Sequence, residues 1–263
     1  MKYPFTPELL DAFPEELAEL YRSLELQLLE EICSRLNIAD KLNEVTVQDI
    51  RALRSMGFDL EEIKKAISET SKVGIDKLEK LFDDVVERNQ KYYSELVDLV
   101  EITKPERYVN ATDIDAIRRQ TKEEFTNLTQ SMGFLVTEGG RTVKLPPAKA
   151  YQWALDNAEM QIMSGGISYR EAIKNATKRL ADGGIKVVNY ESGHIDQIDV
   201  AVRRAIMTGV NQVCQKYSEQ SVEYLETDLV EVSAHQGARD VDGPNGWENH
   251  KKWQGKVFKW NKK

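Results

Sequence analysis

Apolar residues recur at intervals of three and four from Leu17 through Leu20, Tyr21, Leu24 and Leu28 to Ile32, the spacing that lays one stripe along an α-helix. Thr46, with Asp49 close behind it, is placed to cap a second helix that buries Val47, Ile50 and Leu53, and Gly57 supplies its C′ residue. Asp59 caps a third, with Leu60, Ile63 and Ile67 inward. Over 75–102, Leu78, Leu81, Phe82, Val85, Asn89, Tyr92, Leu96 and Leu99 keep close to a heptad spacing, which suits a coiled-coil hairpin or ordinary bundle packing. Pro105 ends that helix. Ile114, Ile117, Phe125 and Leu128 mark another over 112–131, closed by Met132, Gly133 and Phe134.

The period then changes. The segment 137–147, TEGGRTVKLPP, holds paired glycines and paired prolines with no helical repeat, so it reads as a hinge. It would divide a helical N-terminal region, 1–136, from a second domain, 148–263. Tyr151, Leu155, Ala158 and Ile162 predict a helix ended by Gly165 and Gly166. Ser168 with Glu171 forms a capping box ahead of Ala172, Ile173, Ala176 and Leu180, and Gly183 with Gly184 ends that helix. Residues 185–190 read as a strand. Ile198, Val202, Ala205, Ile206, Val210, Val213 and Tyr217 predict a helix over 196–225, a buried strand follows over 228–234, and another strand over 255–260. The class expected is α+β, helix-dominated, with a small antiparallel sheet.

Composition narrows this. The chain has 263 residues, 41% hydrophobic and 30% charged, enough for one large or two small domains. No apolar run is long enough to cross a membrane, and the acidic N-terminus does not resemble a signal peptide. Cys33 and Cys214 both sit in apolar helical patterns and are expected as unpaired thiols. Residues 1–50 hold four basic and eleven acidic side chains, whereas 239–263 hold seven basic and three acidic. An acidic head and a basic tail suit polar partners at the two ends, or solvated faces. The net charge of −8 argues against a protein that coats DNA. The hairpin over 46–67 fits packing better than DNA reading, because its second helix, DLEEIKKAISE, opens on acids. Neither glycine pair has the Lys and Ser/Thr of a nucleotide loop.

The densest chemistry lies over 230–258. Ser233-Ala234-His235-Gln236-Gly237-Ala238-Arg239 is followed by His250-Lys251-Lys252-Trp253-Gln254-Gly255-Lys256-Val257-Phe258. These two runs resemble the signature of phage minor capsid proteins, the minor capsid protein 2 or head-morphogenesis family that accompanies the portal. The turn between them, with Asp240, Asp242 and Trp247, is longer than the family's. AYQWALDNAEMQIMSGGISYREAI over 150–173, NYESGHIDQIDVAVRRAIMTGVNQ over 189–212 and the leader IRALRSMGFDLEEIKKAI are similar to further family segments in the same order. Family members usually continue beyond the Trp-Gln-Gly-Lys strand, whereas this sequence stops at Lys263, as either a short member or a trimmed chain; in a short member the strand is expected to leave an edge for another chain.

The resemblance implies a structural virion protein without a cofactor, located in the head near the portal. Its partners would be the portal protein and the major capsid protein, with packaged DNA as a further contact, in an oligomeric assembly without membrane. DNA packaging or ejection is the associated role. The signature residues His235, Gly237, Arg239, His250, Trp253, Gln254, Gly255 and Lys256 are expected to form a rigid structural hairpin. Arg203, Arg204 and Trp247 are candidate partner contacts, with internal ion pairs and core packing as the alternatives. A competing reading gathers His235, Asp240, Asp242 and His250 on a metal, as in a metal-dependent nuclease or a DNA-delivered effector enzyme, although their spacing matches no strong ligand pattern. A DNA-binding module using the basic C-terminus is the third reading.

Overall fold

The stripe that starts at Leu17 is the inner face of a 23-residue helix, α2 (Glu15–Asn37), which follows a short α1 (Pro7–Ala12). In this computed structural model, residues 5, 7–37, 48, 50, 51, 60–164, 167–188, 195–232, 241 and 249–259 are described. Leu17, Tyr21, Leu24, Leu28, Ile32 and Leu36 are buried along α2. Glu15 and Glu16 in its first turn and Arg35 in its last suit the helix dipole. Of the helix expected from Thr46 to Gly57, only Gln48, Ile50 and Arg51 are described, and Ile50 is buried. Gly165 and Gly166 lie outside the described residues.

One helix, α3 (Leu60–Leu99), replaces the two expected on either side of 70. Nothing between Ile67 and Ile75 stops it, because Gly74 is tolerated inside a helix. Its buried stripe runs Leu78, Phe82, Val85, Asn89, Tyr93 and Val97. The stripe therefore advances mostly by fours, as in bundle packing, and Leu99 is exposed rather than inward. α4 (Ala111–Gln130) follows. Next come β1 (Gly133–Glu138) and β2 (Arg141–Leu145), both within or beside the segment expected as a hinge. They pair antiparallel from Phe134↔Leu145 to Glu138↔Arg141. Gly139 and Gly140, with φ of 55° and 77°, form the two-residue turn between them, the conformation that right-twisted hairpins demand.

α5 (Pro147–Met163) begins on a proline, α6 (Tyr169–Gly183) on the expected capping box, and α7 (Ile198–Tyr224) follows two short strands, β3 (Ile185–Val188) and β4 (Ile195–Gln197). The Ser168 hydroxyl accepts a hydrogen bond from the Glu171 N–H at 3.3 Å. Among the described residues, strands β5 (Leu229–Glu231) and β6 (Val257–Lys259) follow, with a 3-10 turn at His250–Lys252, and β5, expected to be buried, is exposed at Leu229 and Glu231. The class is α+β, helix-dominated, with antiparallel sheets.

These elements form two compact units. Pro14–Leu78 with Thr121–Ile206 makes one; Met1–Phe13, Glu79–Gln120 and Met207–Lys263 make the other. The first holds the four-stranded sheet, ordered β2-β1-β3-β4. Helices α5 and α6 pack on each other and on β1, and α2 packs on both. Ala150, Ala154 and Ala158 are fully buried along α5, and their small side chains allow α6 to approach closely. Neither Cys33 in this unit nor Cys214 in the other is in a disulfide, and burial pushes the Cys33 thiol above its ordinary range.

Candidate functional site

Trp253 is where the second half of the signature run turns. The Lys256 N–H donates to the Trp253 carbonyl, closing a four-residue turn. Gly255, third in that turn, has φ of 65°. A left-handed residue at this place is what a type II turn requires. The Gly255 N–H also donates to the Val232 carbonyl at 2.8 Å, and the Val232 N–H donates to the Lys256 carbonyl at 3.0 Å. Two residues on one strand thus oppose one on the other, with glycine in the left-handed position: a G1 bulge. Trp-Gln-Gly-Lys is a turn and a bulge sharing one glycine, and it delivers the chain directly into β6.

β6 pairs antiparallel with β5 in the register Leu229↔Lys259, Val230↔Phe258, Glu231↔Val257. The Trp253 ring lies 5.1 Å from the Phe258 ring, centroid to centroid, so the turn folds back over its own strand. Trp253 remains 43% exposed. Asn249 caps the 3-10 turn, its side-chain oxygen accepting from the Lys252 N–H at 3.1 Å. His250 is exposed, and its carbonyl accepts from the Trp253 N–H at 3.0 Å. His250 thus contributes to the turn through its backbone. His235, Gly237, Arg239, Asp240, Asp242 and Trp247 lie outside the described residues. Among the described residues no three His, Cys, Asp or Glu side chains gather as a metal site.

Arg203 and Arg204 are elsewhere, on α7. Arg203 reaches Glu15 at 3.3 Å and Arg204 reaches Asp196 at 2.8 Å. Glu15 also holds Arg22, which in turn contacts Glu19 and Asp199. Three arginines are thus engaged by acids of their own unit, and two of these acids, Glu15 and Glu19, account for part of the negative charge at the N-terminal end.

A cluster of tyrosines escaped the sequence reading. Tyr93 stacks on Tyr217 at 5.8 Å, Tyr224 meets Tyr93 edge-on at 6.5 Å, and Tyr108 meets Tyr224 at 5.7 Å. The Tyr93 hydroxyl shares a hydrogen bond with Ser218 at 3.0 Å. Desolvation pushes the Tyr217 hydroxyl up to about 12 and Tyr224 higher still. Spacing on α3 and α7 carries the signal, but it mixes with the aliphatic stripe and only the fold unites the helices. Beside the cluster is a groove of about 880 Å³, lined by Lys91, Arg107, Asp115 and Arg118 among others. Arg118 is already held by Asp83 at 2.6 Å and Glu79 at 3.6 Å, so the groove offers a ligand no single sign of charge.

Among the described residues, no helix is long and apolar enough to cross a membrane. The family model for phage minor capsid protein 2 matches residues 5–263, essentially the whole chain. No curated protein and no solved structure matches it.

Proposed function

The chain belongs to the phage minor capsid protein 2 family, a structural component of the virion that assembles with other virion components, and from that membership we propose that it binds the portal or the inner capsid wall during procapsid assembly. The observation that carries this reading is the match over residues 5–263. The hairpin supports it: a short, glycine-set turn presents Trp253, Leu229 and Val257 largely exposed beside several lysines, a mixture suited to protein contact. Arg203 and Arg204 add nothing to this reading, since both already have partners. Participation in DNA packaging or ejection follows from a position at the portal.

The test compares particles assembled with and without this chain. The protein should co-purify with the portal and major capsid proteins, and heads lacking it should lose infectivity. Heads of unchanged infectivity that never contain the chain would overturn the reading.

A further inference from the structure

β6 has two edges, and one is taken. Its inner edge pairs with β5, and the Val232 N–H to Lys256 carbonyl bond fixes which residues face β5. Bonded pairs alternate along an antiparallel ladder, so Val230 and Phe258 form the next bonded pair. Val257 and Lys259 therefore direct their N–H and C=O groups to the outer edge. Among the described residues no strand pairs that edge. A two-stranded sheet is marginal by itself.

The side chains along this edge are Lys256, Val257, Phe258 and Lys259, with Val257 60% exposed and Lys256 exposed. The inner edge shows what such a strand accepts. β5 and the residue before it read Asp228-Leu229-Val230-Glu231, two acids around two apolar residues. Val230 lies opposite Phe258, and Asp228 reaches Lys259 at 2.9 Å. We propose that the outer edge of β6 docks an extended segment of a partner protein with the same pattern, two acids flanking two apolar residues, as a third strand. Backbone groups supply the attachment, and Lys256 chooses the sign, Lys259 being held by Asp228.

Two other occupants fit less well. A second copy joined β6 to β6 would set lysines against lysines, the usual device by which edge strands avoid their own kind. Joining through β5 would compete with the Thr227 hydroxyl, which already accepts the Leu229 N–H at 3.2 Å. Duplex DNA would meet a chain of net charge −8 and a face that includes exposed Leu229 and Val257; it gains nothing from a row of outward backbone groups. The inference deepens the virion reading by naming the chemistry of one contact, and rests on it only for where the partner occurs.

The test titrates the full chain into a fluorescein-labelled peptide with the central run Glu-Val-Val-Glu and follows anisotropy. The peptide should bind. Val257→Pro removes an outward N–H and leaves the β5 ladder intact, so it should weaken binding about tenfold with unchanged melting. Lys256→Glu should weaken it about threefold. A Lys-Val-Val-Lys peptide should not bind. If Val257→Pro fails to fold, the same peptide N-methylated at both valines tests the edge on wild-type protein and should lose binding. Absent binding, or binding indifferent to both Val257→Pro and N-methylation, overturns the proposal. So does duplex DNA that binds wild type and is lost in Lys256→Glu, or self-association in sedimentation that Val257→Pro abolishes. Incorporation into particles is read separately, so a failed peptide experiment leaves the virion reading standing.

Discussion

The Glu25 Oε1 accepts a hydrogen bond from the backbone N–H of Ile185 at 2.8 Å. Ile185 is buried at the start of β3, so this N–H has no water to turn to. α2 thereby holds the sheet by a side chain that reaches a strand 160 residues away in sequence. Replacing Glu25 with Ala leaves a buried donor unpaired, at a cost of about 1–3 kcal/mol. Glu25→Gln keeps an acceptor and should cost less. Urea melts of the two variants check the order; an Ala variant as stable as wild type would show that the bond contributes nothing.

Two glycines predict opposite signs. A Cβ on Gly74, inside α3, would sit 3.5 Å from the Tyr21 hydroxyl and 3.7 Å from Leu17 Cδ2, ordinary contact. Gly74→Ala should therefore stabilise by about 0.5–1 kcal/mol through helix propensity. A Cβ on Gly183 would lie 1.9 Å from the Leu135 carbonyl oxygen, where α6 runs against β1. Gly183→Ala must push strand from helix, and should destabilise by about 2–3 kcal/mol. Urea midpoints that move in the same direction for both would refute the packing described at these sites.

Helices were legible in the sequence wherever one apolar stripe met a cap. The α6 capping box at Ser168 and Glu171 is the clearest case. The hairpin of β1 and β2 is masked in the sequence by a glycine pair and a proline pair, which together read as a hinge. Gly139-Gly140 flanked by strand residues is itself a hairpin signal, and Pro147 opens a helix rather than ending a loop. β4 is three residues long and exists only because β3 lies beside it. At the candidate site, spacing located β5 and β6 but not the exposure of β5, expected as buried, nor the bulge, which depends on a backbone angle at Gly255. The partners of Arg203 and Arg204 were beyond reach for a different reason: Glu15 is 188 residues away from Arg203.

Alkaline pH should loosen this protein. Burial raises the hydroxyls of Tyr21, Tyr93, Tyr151, Tyr217 and Tyr224 above the ordinary value of 10.0. The folded state therefore keeps protons that the unfolded chain gives up. Stability is at its full value below the unfolded tyrosine pKa and falls as pH rises past it. Tyrosinate absorbance should show a fraction of the ten tyrosines titrating late, together with loss of helix. Ten tyrosines that all ionise near 10 with the fold intact would contradict the cluster's burial.

Gly255 tests whether conformation or space fixes the signature turn. A Cβ there would meet nothing within 4 Å, while φ is 65°. A steric account predicts that alanine is harmless; a conformational account predicts a penalty, because an L-residue in the left-handed region costs about 1 kcal/mol or more. Asparagine visits that region more readily than alanine, so Gly255→Asn should cost less than Gly255→Ala. The hairpin is small, so a global melt is a poor reporter. Hydrogen exchange at the Val232 N–H is a direct one, since that group donates to the Lys256 carbonyl across the bulge. Exchange should accelerate in the order Gly, Asn, Ala, by about fivefold or more for Ala. Equal protection in all three proteins would mean that β5 and β6 hold their register without the turn, and that the glycine of the Trp-Gln-Gly-Lys run serves something other than backbone geometry.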